Sequence, residues 1–338
     1  MNSVEQLEQY MSIPSEALIA DVQQIEGDFI ILGIGGKMGP TLAYLLKNAI
    51  DAAGTKQKVI GVSRFSNGTL EQQLNEKGIK TIACDLLNDE EMKKLPFVPN
   101  VIFMAGNKFG THGNEHFTWA MNSYLPGRVA EHFKDSRIVV FSTGNVYPLS
   151  ELKMGGCDEK ALPNPVGEYG QSSLGRERIF TYFSHLHKTK MVIFRLNYAI
   201  DLRYGVLVEI ARSVYKEEPV DVTMGHANVI WQGSANEYAI RALLHAAIPP
   251  NIFNATGPET LSVRWLAQEF GKCFGKEAKI VGEEANTALL SNSSRAHQMF
   301  GYPSVSVREM IDLIANWIQN DGELLNKPTH FQERKGQF

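Results

Sequence analysis

The sequence predicts an α/β fold: a doubly wound parallel sheet followed by a smaller, mixed C-terminal lobe. Up to Asn197, short apolar runs typical of strands alternate with longer amphipathic patterns typical of helices. This alternation favours a parallel sheet with right-handed crossovers. Beyond Asn197 helical patterns dominate, at 205–215, 234–247, 262–274 and 307–319. The predicted strands of the sheet are 29–32, 59–62, 81–84, 101–104, 137–142 and 191–196.

A glycine-rich turn between the first predicted strand and the next helix is the most informative motif. Gly33, Gly36 and Gly39 follow the spacing G-x-x-G-x-x-G, and Lys37 and Met38 lie within it. Glycine allows a sharp bend and the close approach of a ligand, and a helix N-terminus attracts phosphate. The motif therefore predicts a dinucleotide site in a Rossmann-type fold. An ordinary strand–turn–helix is the alternative.

The end of the second predicted strand bears on the choice of cofactor. It carries Ser63 and Arg64, where NAD-binding proteins usually place an acidic residue that bonds the ribose hydroxyls. An arginine favours a 2′-phosphate instead, so NADP is favoured and NAD is the alternative. A surface arginine without a ligand is a third possibility. Further candidate cofactor contacts follow the third and fourth predicted strands, namely Asp85, Leu86, Ala105, Gly106 and Lys108.

Composition and charge exclude several classes of protein. The 338 residues are 43% hydrophobic and 21% charged, which is ordinary for a globular protein, and the net charge of −4 gives no reason to expect a nucleic-acid or membrane partner. The three cysteines, Cys84, Cys157 and Cys273, are widely spaced, as in a reducing compartment. The N-terminus lacks the features of a signal peptide, and no apolar run approaches the roughly 20 residues of a membrane span. A cytoplasmic protein is expected.

Several motifs lie along the chain: the glycine turn, Asp85-Leu86, Ala105-Gly106, STGNVY at 142–147, YGQSS at 169–173 and NATG at 254–257. Together they resemble the extended short-chain dehydrogenases/reductases of the NAD(P)-dependent epimerase/dehydratase family. The resemblance covers about residues 27–320 and implies an NAD(P)-dependent oxidoreductase or epimerase. Such an enzyme transfers hydride at a hydroxyl or ketone of a sugar, sugar acid or nucleotide sugar. The resemblance also implies a homodimer formed through helices 118–133 and 171–187.

The expected organisation has four parts. Residues 1–26 form a helical extension, 27–197 the NAD(P)-binding domain, 198–320 an intimately packed substrate lobe and 321–338 a polar tail. The tail is expected to be disordered or to pack on a partner.

The resemblance implies that Thr143 holds the substrate oxygen and that Tyr169 is the general acid or base. In the family, a lysine four residues after the tyrosine binds the nicotinamide ribose and lowers the pKa of the tyrosine. This chain has Ser173 there. Free tyrosine titrates near 10, so a base without a nearby cation is poor. Arg176, Arg178 or the nicotinamide charge could replace the lysine; a non-catalytic dinucleotide-binding sensor or partner protein is the alternative.

Other departures from the family narrow the chemistry. Gly144 and Asn145 stand where the dehydratases carry Asp-Glu, so sugar-nucleotide dehydration is not expected. Ala227 stands where epimerases of nucleotide sugars usually place an arginine on the diphosphate, so smaller sugars, sugar acids and hydroxy acids become comparably plausible. The candidate substrate contacts are Asn145, Asn197, Tyr198 and His226.

A histidine-rich segment invites a metal interpretation. His112, Glu115 and His116 have a spacing that resembles zinc ligands. The segment contains glycine and does not lie within an established helical pattern, and this fold needs no metal. We expect a substrate-side loop and no metal site.

Overall fold

A parallel sheet forms the centre of the computed structural model, which describes residues 1–66, 68–108, 110 and 113–337. Seven of the described strands form this sheet, and the others form short two-stranded ribbons. In chain order the strands are β1 (Phe29–Leu32), β2 (Val59–Ser63), β3 (Lys80–Ala83), β4 (Asn100–Phe103), β5 (Arg137–Thr143), β6 (Ser150–Glu151), β7 (Met191–Leu196), β8 (Ala199–Ile200), β9 (Val220–Asp221), β10 (His226–Ala227), β11 (Ile230–Trp231), β12 (Asn251–Ala255), β13 (Leu261–Ser262), β14 (Ile280–Val281) and β15 (Thr287–Ala288).

Helices cover both faces of this sheet and build most of the C-terminal lobe. They are α1 (Val4–Met11), α2 (Glu16–Gln24), α3 (Gly39–Ala52), α4 (Gly68–Glu76), α5 (Asp89–Met92), α6 (Glu115–Trp119), α7 (Leu125–His132), α8 (Gly167–His187), α9 (Val206–Tyr215), α10 (Gln232–Arg241), α11 (Val263–Phe274), α12 (Ser294–Phe300) and α13 (Val307–Gln319). A π-helical turn, Ala120–Tyr124, joins α6 to α7.

The strand order places the ligand-binding crevice. In the described residues the sheet has seven strands in the order β12-β7-β5-β4-β1-β2-β3, and each neighbouring pair is parallel. The winding reverses between β1 and β4, and ligands of such sheets bind at the carboxyl ends of the strands beside this reversal. The predicted Rossmann-type fold is confirmed.

Most strand predictions are confirmed because their apolar runs are buried on both sides, as in sheets covered by two helical layers. β1 and β4 are buried along their whole length. One face packs on α2, α3 and α10, and the other on α7 and α8. Strand β12 is the exception, since its sequence NIFNA is too polar to form a clear pattern. β12 belongs to the central sheet although it follows residue 197 in the chain. The expected four-part division of the chain stays a prediction.

The C-terminal tail packs against its own chain, so the expectation that it is disordered is wrong, and packing on a partner stays a prediction. Leu325 N donates to Arg203 O at 3.1 Å, and Thr329 Oγ1 donates to Glu209 Oε2 at 2.7 Å. Phe331 is buried with 1% exposure in the core of the C-terminal lobe. A single aromatic side chain within a polar stretch gives little periodic signal. We call residues 325–336 the C-terminal strap.

Candidate active site

The glycine turn has the shape that a dinucleotide phosphate requires. Gly33 has a φ of +90°, and a Cβ there would lie 2.7 Å from the backbone N of Ala105. A Cβ at Gly39 would collide with the carbonyl group of Ile34, so α3 can pack this closely only with glycine. In the described residues no side chain caps the N-terminus of α3 at Met38. Gly39 N donates to Gly36 O at 3.2 Å and Pro40 has no N–H, so what the turn offers a phosphate is its close backbone approach and the positive end of the helix dipole. In this respect the turn fits the pyrophosphate of NAD(P).

A cavity of about 470 Å³ lies beside this turn, at the carboxyl ends of the central strands. It brings together much of the predicted site: Gly33, Gly36, Lys37, Met38, Gly106, Lys108, Thr143, Asn145, Tyr169, Asn197 and Tyr198. The remaining predicted residues lie outside its lining: Gly39, Ser63, Arg64, Asp85, Leu86, Ala105 and His226.

The predicted residues outside the cavity lining have other visible positions. Ser63 lies against the glycine turn, where its Oγ would be 2.5 Å from a Cβ at Gly35. Arg64 is exposed at the end of β2. Asp85 Oδ1 accepts a hydrogen bond from Leu87 N at 3.0 Å and thereby shapes the loop after β3. His226 pairs with Ser262 in the short β10–β13 ribbon. Their predicted ligand contacts stay predictions.

Thr143 and Tyr169 reach the same cavity because their elements pack tightly. Thr143 ends β5, and its Oγ1 accepts a hydrogen bond from Asn145 N at 3.2 Å and donates one to Asn145 Oδ1 at 3.1 Å. A Cβ at Gly170 would lie 2.7 Å from Asn145 O, so α8 begins directly against this turn. Tyr169 stands in the first turn of α8. A hydroxyl group and a phenol therefore face one space, as acid–base chemistry at a carbinol requires.

The surroundings of Tyr169 are mainly cationic. Lys108 Nζ lies 5.8 Å from the centroid of the Tyr169 ring. The neighbouring carboxylate of Glu168 accepts a hydrogen bond from Trp119 Nε1 at 2.5 Å, which ties it to α6. Ser173 and Arg176 are buried further along α8, whereas Arg178 is exposed.

Lysines dominate the charge of the cavity. Burial lowers the pKa of Lys37 to about 7 against the opposing attraction of Asp201. Burial likewise lowers the pKa of Lys108 to about 8, with Glu209 opposing. Lys37 Nζ donates to Ala199 O at 3.2 Å. Lys327 of the C-terminal strap adds a third lysine, and the described lining contains no carboxylate. Such a cavity attracts anions.

A buried polar network behind Thr143 was not predicted. Arg195 Nη2 and Glu177 Oε2 form an ion pair at 2.6 Å with 4% of each side chain exposed. Ser142 Oγ donates to Glu177 Oε1 at 2.5 Å, and Arg195 Nη1 donates to Tyr147 OH at 2.7 Å. Tyr147 OH donates to Asn254 Oδ1 at 2.9 Å. The sequence indicates this network only through Glu177 on the buried face of α8 and Arg195 within the apolar strand β7.

The histidine-rich segment is described only in part. His112 lies outside the described residues, and Glu115 and His116 begin α6. In the described part of the chain, no group of three potential metal-ligating side chains comes together, and no helix has the length and apolar character that crossing a bilayer requires.

Comparison with known proteins defines the class. The model of the NAD dependent epimerase/dehydratase family matches residues 29–203, just over half of the chain. The protein therefore belongs to this family, which confirms the predicted family and the interpretation of the chain as an enzyme of the epimerase type. No curated protein matches the chain in sequence.

Solved structures agree with the fold. UDP-glucuronic acid 4-epimerase from Bacillus cereus, in complex with NAD, superposes with a TM-score of 0.72 and 19% identity over 88% of this chain and 99% of its own. UDP-glucose 4-epimerase from Thermotoga maritima, with UDP-glucose, gives 0.68 and 16% over 87% and 99%. Pal from Bacillus thuringiensis gives 0.70 and 16% over 86% and 99%. At these identities the likeness establishes the fold.

The ion pair predicts a large stability loss in one variant. Glu177→Gln keeps the side-chain shape but leaves the Arg195 charge buried without compensation, so the free energy of unfolding should fall by about 3–5 kcal/mol. Urea denaturation at pH 7 measures it. Glu90→Gln is the control, because Glu90 pairs with Lys93 at 76% and 70% side-chain exposure and should change stability by less than about 1 kcal/mol. Equal losses in both variants would contradict the assignment.

Proposed function

We propose that the protein is an NAD(P)-dependent epimerase or oxidoreductase that acts on an anionic, carbohydrate-like substrate. The observation that carries this proposal is the convergence of Thr143 and Tyr169 on one cavity beside the glycine turn. A dinucleotide sensor would need the turn alone, whereas a hydroxyl–phenol pair in the same cavity suits chemistry on a carbinol.

The residues present suggest how the reaction proceeds. A bound nicotinamide ring supplies the acceptor and donor of hydride. Thr143 holds the substrate oxygen through its hydroxyl group, whose orientation Asn145 fixes. Tyr169 would take the proton of the substrate hydroxyl as its carbon is oxidised and would return a proton as that carbon is reduced. Reduction from the opposite face would give an epimer with no net oxidation, whereas release of the ketone would leave the cofactor reduced.

The charge of the cavity supports an anionic substrate. Lys37, Lys108 and Lys327 line it without a described carboxylate among the lining residues. The pyrophosphate of the cofactor accounts for part of this charge at the glycine turn. Lys327 is the informative residue, because it comes from the C-terminal strap and not from the nucleotide-binding half. A sugar acid or a nucleotide sugar is therefore favoured over a neutral sugar, although Ala227 leaves no arginine at the usual diphosphate position.

A substrate panel tests the proposed function. The purified full chain with NAD or NADP should turn over a sugar acid or a nucleotide sugar, such as UDP-glucuronic acid, faster than the matching neutral sugar. Reduced-cofactor absorbance detects oxidation, and proton NMR detects epimers. Tyr169→Phe should lower turnover by about 10²–10⁴-fold because it removes proton transfer.

The controls distinguish an enzyme from a binding protein. Tyr302→Phe changes an exposed tyrosine outside the cavity lining and should keep full activity. Tight dinucleotide binding without turnover of any substrate class would favour a non-catalytic sensor, whereas unchanged turnover by Tyr169→Phe would refute the role of Tyr169.

We infer that NADP is preferred over NAD. Arg64 is exposed at the end of β2, and no acidic residue stands beside it to repel a 2′-phosphate. Arg64→Glu should weaken NADPH binding by about 10- to 100-fold, since a hydrogen bond to a charged group contributes about 1.5–3 kcal/mol, and it should leave NADH affinity nearly unchanged. Fluorescence titration measures both affinities, with Arg178→Glu as the control. Tighter binding of NADH than NADPH by the unaltered chain would refute the preference.

We also infer a homodimer formed through α7 and α8. These helices and the turn between α6 and α7 expose Tyr124, Tyr182 and Leu186 at 61%, 59% and 54%. Tyr182→Glu should convert a dimer into a monomer because it places a charge in an apolar interface. Light scattering after gel filtration measures the mass. Tyr302→Glu, at 74% exposure, is the matched control, and a monomeric unaltered chain would overturn the inference.

The three free cysteines suit a cytoplasmic location.

A further inference from the structure

Residue 173 is a serine and provides no positive charge near Tyr169. Ser173 is fully buried one turn after Tyr169, and its Oγ has no hydrogen-bond partner among the described residues. A tyrosine that must act as a base at neutral pH needs a cation within roughly 4–6 Å. The charge must therefore come from another residue.

Arg176 brings a positive charge to the wall of the cavity that Tyr169 also lines. It lies two turns after Tyr169 on α8 and is 6% exposed. Its Nη1 donates to Phe141 O at 2.7 Å, and its Nη2 donates to Asn122 Oδ1 at 2.7 Å. The guanidinium lies directly beneath Gly106 in the cavity wall, where any Cβ would collide with Nη2. It interacts electrostatically with Tyr169.

Asn122 holds the guanidinium in place. It is fully buried in the π-helical turn Ala120–Tyr124, and π-helical turns are frequent at functional sites. Its Oδ1 also accepts from Asn107 N at 2.8 Å, and its Nδ2 donates to Asn107 O at 2.8 Å. The same side chain thus ties Arg176 to the loop that forms the cavity wall.

Arg176 has no ion-pair partner among the described residues. Its two described hydrogen-bond acceptors are neutral. The adjacent Glu177 attracts it electrostatically but forms its ion pair with Arg195. Keeping an unpaired buried cation is costly, which points to a use for it.

The other charged and titratable groups around Tyr169 do not replace Arg176. Glu168 is held by Trp119, and the pKa of Tyr204 is raised by burial. Lys108 approaches the ring from the cavity, but burial lowers its pKa to about 8 and it loses charge as the pH rises. An arginine stays protonated throughout this range.

We propose that Arg176 supplies the positive charge that makes Tyr169 a base, in place of the lysine absent at position 173. It is a positioning residue, since it acts through its field from beneath Gly106 and does not touch the substrate. The inference rests on the proposed function only for the role of Tyr169 in the reaction.

The test uses the full chain without substrate or cofactor. Tyrosinate absorbs in the near ultraviolet, and subtracting the pH titration of a Tyr169→Phe counterpart isolates one of the 11 tyrosines. Arg176→Gln removes the charge while keeping hydrogen-bonding groups. It should move the alkaline midpoint of the isolated signal upward by about 1–3 pH units. Ser173→Lys in the Arg176→Gln background should bring the midpoint back.

Matched variants keep the result interpretable. Arg178→Gln removes an exposed arginine from the same helix and should leave the midpoint unchanged. If Arg176→Gln does not fold, Arg176→Met is the second neutral variant and should raise the midpoint in the same way, whereas Arg176→Lys keeps the charge and should retain the midpoint of the unaltered chain. A midpoint that is the same in the unaltered chain and in Arg176→Gln, or one that Ser173→Lys does not restore, would overturn the proposal.

Turnover adds an independent reading. With a substrate from the panel, Arg176→Gln should lower kcat for hydroxyl oxidation at pH 7 by about 10- to 1000-fold, and the rate should recover at higher pH. Absence of turnover in the unaltered chain would defeat the proposed function while leaving the absorbance result to decide the role of Arg176.

Discussion

The buried pair of Glu177 and Arg195 is the interaction on which the site depends most. It joins the middle of α8 to β7, and through Ser142 it reaches the C-terminal end of β5. Tyr147 and Asn254 extend the same network to β12. The elements that carry Thr143 and Tyr169 are therefore fixed relative to each other by polar contacts in a dry interior, where misalignment would leave charges unpaired.

The charged residues around this ion pair differ in their electrostatic surroundings. Glu177 forms its ion pair with Arg195, so Arg176, at the neighbouring position of the same helix, has no described ion-pair partner of its own. The lysines of the cavity act from the other side and lose protons near neutral pH because they are partly buried. Arg176 stays charged and can act on the Tyr169 phenol, whereas the lysines of the cavity titrate and can act on an anionic ligand.

The sequence revealed the fold well where single patterns decide it. Apolar runs located β1 and β7 to the residue, and the glycine spacing located the phosphate turn. It revealed less where several distant residues act together. Phe331 anchors the strap alone, and β12 contains Asn254, whose polarity is explained only by its bond to Tyr147. Arg176 was one of several candidate cations, and only its burial against Phe141 and Asn122 separates it from exposed Arg178.

The C-terminal strap has a consequence for how the site comes into being during synthesis. Lys327 and Thr329 line the cavity although they follow the last helix of the C-terminal lobe. The central sheet is complete once β12 (Asn251–Ala255) has been translated, so it can form before the strap emerges, since domains generally fold as units from the N-terminus during synthesis. The cavity, however, gains its last wall only after these late residues leave the exit tunnel. A nascent chain could therefore hold a dinucleotide before it is able to enclose a substrate.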